Sequence, residues 1–115
     1  MESIEARLDK IEYHNRLLAR MYEEEGKYPF YTLVIEHGLT EEEVKGVFSL
    51  CEEIQQKMHE QMEEGLLSRT SLLTHFVGML DMKLKPIPTI KAIQTQEEKY
   101  ENLMTELLSA SPNYQ

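Results

Sequence analysis

Four histidines, one cysteine and 21 acidic residues are the raw material for chemistry in this chain, and their spacing decides how much of it can be used. A zinc hydrolase site on one helix needs two histidines four residues apart, with a glutamate after the first, because such positions share a face. The nearest match is His59-Glu60-Gln61-Met62-Glu63, which puts a carboxylate where the second imidazole belongs. Di-iron bundles place a glutamate three residues before a histidine. Here those positions hold Ile11, Val34, Gln56 and Leu72. A lone cysteine excludes a thiolate-rich zinc site. His59 and Glu63 could chelate a cation weakly, but such a pair is more often simply solvated. No metal and no cofactor is expected.

Nucleophilic catalysis fares no better. Ser71 and His75 stand one helical turn apart, with Asp81 downstream, but no nucleophile-elbow glycines surround Ser71. Cys51 falls on an apolar stripe, where a thiol behaves as a small hydrophobe. The pairs Glu52/Glu53, Glu63/Glu64 and Glu97/Glu98 are adjacent, so they diverge by about 100° around a helix and read as solvated faces. The five glycines are scattered and form no phosphate loop. No catalytic residue is assigned, and the balance leans against an enzyme. A site between protomers, using His37, His59 or His75 with glutamates, stays open as an alternative.

The residues that could not do chemistry are more informative. Ile4, Leu8, Ile11, Leu18 and Tyr22 recur at alternating steps of four and three, with Asn15 in the one polar slot. With Leu8 at heptad position a, Ile4, Ile11 and Leu18 fall at d, and Asn15 and Tyr22 at a. Arg7 at g and Glu12 at the following e are the pair that meets across a parallel interface. Leu at a with Ile at d favours three or four strands, whereas an a-position Asn accompanies dimers and fixes register. These six residues are the expected oligomer interface. Beyond Tyr13 the apolar face widens to include Leu17, Leu18, Met21 and Tyr22, so that half is also expected to pack on the body of the domain.

The rest of the chain of 115 residues reads as a single all-α domain over 1–115, a bundle of about five helices, three long and two short, with no β-sheet. Residues 1–25 carry the N-terminal oligomerisation helix, ending near Gly26. Pro29 suits the first position of a short helix that Gly38 stops, with Leu39 folding back as the apolar contact of the end. Thr40-Glu41-Glu42-Glu43 is a capping box that opens a helix to Glu64, with Val44, Val47, Phe48, Cys51, Ile54, Met58 and Met62 as its stripe. Ser68 caps a helix over Arg69 to Met82, expected to be the most buried, in which Gly78 permits a close crossing. Lys83 to Pro88 is expected to be extended, because each proline disfavours the α region for its predecessor. One last helix then runs from about Pro88 to Leu108 with Ile90, Ile93, Tyr100, Leu103, Met104 and Leu107 on its face. Residues 109–115 read as a frayed tail.

Charge narrows the functional classes. Residues 1–64 hold 16 acids against seven Lys or Arg, and the remainder balance, so the chain carries −9 overall. Such a field repels phosphate backbones, and nucleic acid is not an expected partner. Glu36 to Val44 resembles the opening of a helix-turn-helix, yet the helix that follows is long and acidic, so a DNA-associated regulator is only an alternative. Tyr28, Phe30 and Tyr31 with Met58, Met62, Met79, Met82 and Met104 could line a groove, although such residues more often fill gaps between helices. Met1-Glu2-Ser3-Ile4-Glu5 lacks the pattern of a signal peptide and no run is apolar enough to span a bilayer, so a cytoplasmic protein without membrane contact is expected.

The run from Tyr28-Pro29-Phe30 through Gly38-Leu39-Thr40, and then Pro86-Ile87-Pro88-Thr89-Ile90-Lys91-Ala92, resembles the uncharacterised YhaI-like family of small proteins from Bacillus and its relatives. The resemblance extends over nearly the whole chain. It implies an all-helical, cytoplasmic bacterial protein that assembles as a homo-oligomer, a trimer in preference to a dimer, and it implies no site residues. The function expected is that of a non-catalytic adaptor or regulatory interaction module.

Overall fold

Where each helix begins and ends follows from how its orphan backbone groups are satisfied. The computed structural model describes residues 2–111. In it α1 spans Ile4–Glu23, α2 Pro29–Glu36, α3 Glu41–Glu64, α4 Arg69–Met79, α5 Pro86–Gln96 and α6 Glu101–Ser109, with a 3-10 turn over Glu98–Tyr100. No strand occurs among the described residues, so the fold is all-α and multihelical. Of the tail expected over 109–115, Ser109 closes α6, and residues 112–115 lie outside the described residues.

The first three helices follow the punctuation in the sequence. Ser3 Oγ accepts from Ala6 N at 3.0 Å and opens α1. Pro29, without an N–H to orphan, opens α2. Gly38 takes φ +68°, and the bonds Leu39 N to Val34 O (2.9 Å) and Gly38 N to Ile35 O (3.3 Å) close a Schellman end with Leu39 buried beneath it. Thr40 and Glu43 then form the capping box in both directions, at 2.9 and 3.2 Å. α3 continues for 24 residues, about 36 Å at 1.5 Å per residue, before Gly65 repeats the Schellman end.

The C-terminal half departs from expectation in several places. The segment through Pro88 is not extended throughout: Lys85 is, at φ −93° and ψ 135°, but Met82 and Lys83 form a turn and α5 starts at Pro86. Proline costs no hydrogen bond in a first turn, where N–H groups have no intrahelical acceptor, so Pro86 and Pro88 both fit there. The single long helix expected after it is two. Positions 90, 93, 97, 100, 104 and 107 continue one helical face, so an unbroken rod would drive Glu97 into the core. The chain instead turns extended at Glu97 (φ −113°, ψ 96°), and α6 packs back on α5, with Gln94 Nε2 donating to Thr105 Oγ1 at 2.8 Å. Six α-helices result among the described residues, in place of about five.

α4 is shorter than expected, ending at Met79, with Leu80 extended. It is not the most buried helix: Leu72, Phe76 and Leu80 point inward while Val77 is exposed, and α6 contributes the more completely buried set of Leu103, Met104 and Leu107. Gly78 serves no close crossing, because a Cβ there would meet nothing within 4 Å. On α3, Leu50 joins the buried stripe, whereas Met62 is exposed.

One apolar cluster joins all six helices, with Phe30, Ile54, Phe76, Ile90, Ile93 and Leu103 among its fully buried members. Cys51 lies inside it, and burial pushes its thiol up to about 12, so it stays protonated and unreactive. Polar bonds stitch the periphery. Tyr100 donates to Glu52 Oε2 at 2.6 Å, and Arg69 pairs with Glu106. Gln96 Oε1 accepts from Tyr31 N at 3.0 Å, so the end of α5 caps the start of α2, which has no side-chain cap of its own.

Two substitutions test this description in opposite directions. Gly46 sits mid-α3, and a Cβ added there would meet nothing within 4 Å, so Gly46→Ala should raise unfolding free energy by about 1 kcal/mol in urea titrations. Gln96→Ala strips α2 of its cap and should lower stability by about 1 kcal/mol.

Candidate interaction surface

At 100° per residue, the side chains of α1 sort onto distinct faces. Tyr13 and Leu17 are 7% and 5% exposed and enter the core, with Met21 packed against it. Beside them, Lys10 Nζ donates to Gly38 O at 3.4 Å and His14 Nε2 to Leu39 O at 2.7 Å, which binds α1 to the α2–α3 turn. These residues are the c, f and g positions of the heptad. The c and f positions face away from a heptad seam, while the g positions, His14 and Met21, border it.

Ile4, Leu8, Ile11, Leu18 and Tyr22 lie about 120° away around the helix and remain in solvent, 75%, 60%, 55%, 48% and 91% exposed. Asn15 is exposed among them. The structure therefore brings all six heptad residues onto one uncovered stripe. The wide face beyond Tyr13 divides: Leu17 and Met21 serve the core, and Leu18 and Tyr22 do not. Ile4, Arg7, Leu8 and Ile11 surround a shallow, open hollow of about 270 Å³. Arg7 and Glu12 flank the stripe and are both exposed. Such a run of large apolar side chains is more than the scattered exposure of an ordinary surface.

The residues with chemical potential are dispersed. Ser71 Oγ donates to Ser68 O at 3.1 Å, inside the first turn of α4, and does not bond His75. Lys57 Nζ donates to His75 Nδ1 at 3.1 Å, which leaves Nε2 to carry the proton toward Glu53 Oε2, also at 3.1 Å. Asp81 accepts from Lys83 N at 2.8 Å in a local turn. Glu52 and Glu53 diverge to separate partners, Tyr100 with Lys99 and His75. His37 and His59 are exposed on different elements. Among the described residues no three His, Cys, Asp or Glu converge in a way that could hold a metal ion. Nor do the methionines line one groove: Met58 and Met104 are core, while Met62, Met79 and Met82 are exposed. No helix among the described residues is long and apolar enough to cross a membrane.

Sequence reasoning missed the polar contacts that dock α1. The signal was present, since Lys10, His14, Leu17 and Met21 share a face, but nothing in the chain announced that carbonyls of a distant turn would meet it. Docking also carries a titration. Burial, with Tyr31 and Glu41 nearby, pushes the Tyr13 phenol up to about 12. A phenol whose folded value is raised stabilises the fold at pH below its unfolded value near 10, and that stability is lost as pH climbs through 10 toward 12. Tyr13→Phe should therefore lose less of its urea midpoint than the parent protein between pH 8 and pH 11, as read by circular dichroism.

No solved structure matches the chain. A family model described as "Protein of unknown function (DUF1878)" matches residues 1–111, which takes in α1 through α6. The chain belongs to that family.

Proposed function

We propose that the protein is a homo-oligomeric interaction module of the cytoplasm, without catalytic activity, in which the α1 helices of three copies join and hold their helical bodies outward for an adaptor or regulatory role. The observation that carries this reading is the uncovered stripe Ile4, Leu8, Ile11, Asn15, Leu18 and Tyr22 on a helix whose other side is docked. Fully burying one Leu or Ile contributes about 1.5–3 kcal/mol, so several such residues per chain supply a strong drive to associate. Leu8 at a with Ile4 and Ile11 at d favours three or four strands over two, and Asn15 at a, a residue that accompanies dimers, fixes the register. Arg7 and Glu12 favour a parallel one. The body docks through c and f and through the g residues His14 and Met21, and it leaves the apolar a and d side chains exposed.

The net charge of −9 speaks against nucleic acid as a partner, and the separate engagements of Ser71, His75 and Asp81 speak against a triad. Light scattering at low micromolar concentration should give the mass of three chains. The Leu8→Glu, Ile11→Glu double variant should return the mass of one chain with its helical circular dichroism kept, because both positions are solvent-exposed in the single chain. A parent protein that stays monomeric would sink the proposal.

A further inference from the structure

The side of α1 turned away from the seam walls a second feature, a groove of about 310 Å³ against α2 and α3. Tyr13, Tyr31 and Phe48 form its apolar surface, and Arg16, Arg20 and Lys45 stand around it. Glu41 is the one acid on the lining, and its carboxylate is already held by Arg16 at 3.3 Å. Neither Arg20 nor Lys45 has a carboxylate within ion-pair distance among the described residues. In a chain that carries −9, three cations against one acid is a local reversal of the field.

The aromatic groups are held rigidly. Phe48 meets Phe30 edge-on at 5.3 Å and stacks on Tyr100 at 6.4 Å, and Tyr31 stacks on Tyr28 at 5.5 Å. Arg16 lies 5.6 Å over the Tyr13 ring. Burial raises both phenols, helped by Glu41 at Tyr13 and Glu97 at Tyr31, so each remains an O–H donor at neutral pH, with Arg20 beside Tyr31 pulling the other way. Donors, cations and apolar walls therefore converge, with Glu41 the one carboxylate on the lining and Glu97 beside Tyr31. The volume sits at the lower end of the range that encloses small ligands, about 300–1,000 Å³.

We infer that this groove is a binding site for a small planar organic anion, its ring seated against Tyr13, Tyr31 and Phe48 and its acidic group held by Arg20 and Lys45. The ring contacts supply apolar burial and stacking, and the cations supply charge-assisted bonds that distinguish an acid from a neutral analogue. The site lies within one protomer, on the side of α1 opposite the seam, so it stays open whether or not the chains assemble. It goes beyond the oligomeric reading and does not depend on it.

Naphthoate is a suitable probe, followed through amide chemical shifts of the isotopically labelled full chain, with naphthalenemethanol as the neutral counterpart. Shifts should gather on Tyr13, Arg20, Tyr31, Lys45 and Phe48, and naphthalenemethanol should bind about tenfold or more weakly, as loss of charge-assisted bonds requires. The Arg20→Gln, Lys45→Gln double variant, which alters only exposed side chains, should weaken naphthoate to a similar degree while leaving naphthalenemethanol unaffected and circular dichroism unchanged. Absence of shifts at millimolar naphthoate, shifts centred on Leu8 and Ile11, or equal affinity for the two probes would each overturn the assignment.

Discussion

The carbonyl oxygens of Gly38 and Leu39 are where the architecture is pinned. They belong to a turn that satisfies the end of α2 and the start of α3 internally, through the Schellman bonds and the Thr40–Glu43 box. Because the turn needs no outside help, its remaining acceptors are free to hold other elements. Lys10 and His14 bring in α1, and Lys83, at 3.4 Å from Gly38 O and 2.8 Å from Glu43, brings in the segment between α4 and α5. Lys83 and Thr40 keep the Glu43 carboxylate below its ordinary range against the opposing effect of burial. One compact turn thus sets the roll of α1 about its own axis, and that roll decides which residues the domain covers.

From this roll comes a division of labour around a single helix. One side of α1 enters the core through Tyr13 and Leu17, another walls a groove with Arg16 and Arg20, and a third exposes the heptad stripe. A helix that had only to stabilise its own domain would need the first alone. The third exposes five large apolar side chains, a costly arrangement that contributes nothing to a single folded chain.

Much of this is legible in the sequence because it is local. Capping boxes, helix-stopping glycines and an N1 proline each act within four or five residues, so Pro29, Gly38, Thr40 and Gly65 suffice to place α2 and α3, whereas sequence reasoning misses the Ser3 cap that opens α1. The heptad, too, is a pattern within one helix. The break at Glu97 is not legible, because no glycine or proline marks it; what forbids the continuous helix is the core that Glu97 would enter, and that core exists only after folding. The two prolines mislead for a related reason, since Pro86 and Pro88 read as barriers until their place in a first turn is known. Gly78 suggests a close approach where the helix surface is in fact open. The groove is invisible from the chain because its walls come from three helices and no spacing links Tyr13 to Tyr31 and Phe48.

The bond from Tyr31 N to Gln96 has a consequence for the order in which the chain folds. α2 has eight residues, fewer than the roughly 12–15 at which an isolated helix becomes even marginal in water, and its capping group arrives from 65 positions downstream. During synthesis that partner is still unmade when α2 leaves the ribosome. α1 and α3 can therefore take shape from their own sequences, while the short helix between them waits for α5. The bond that completes α2 is thus a long-range encounter across 65 positions, the kind of contact that slows folding.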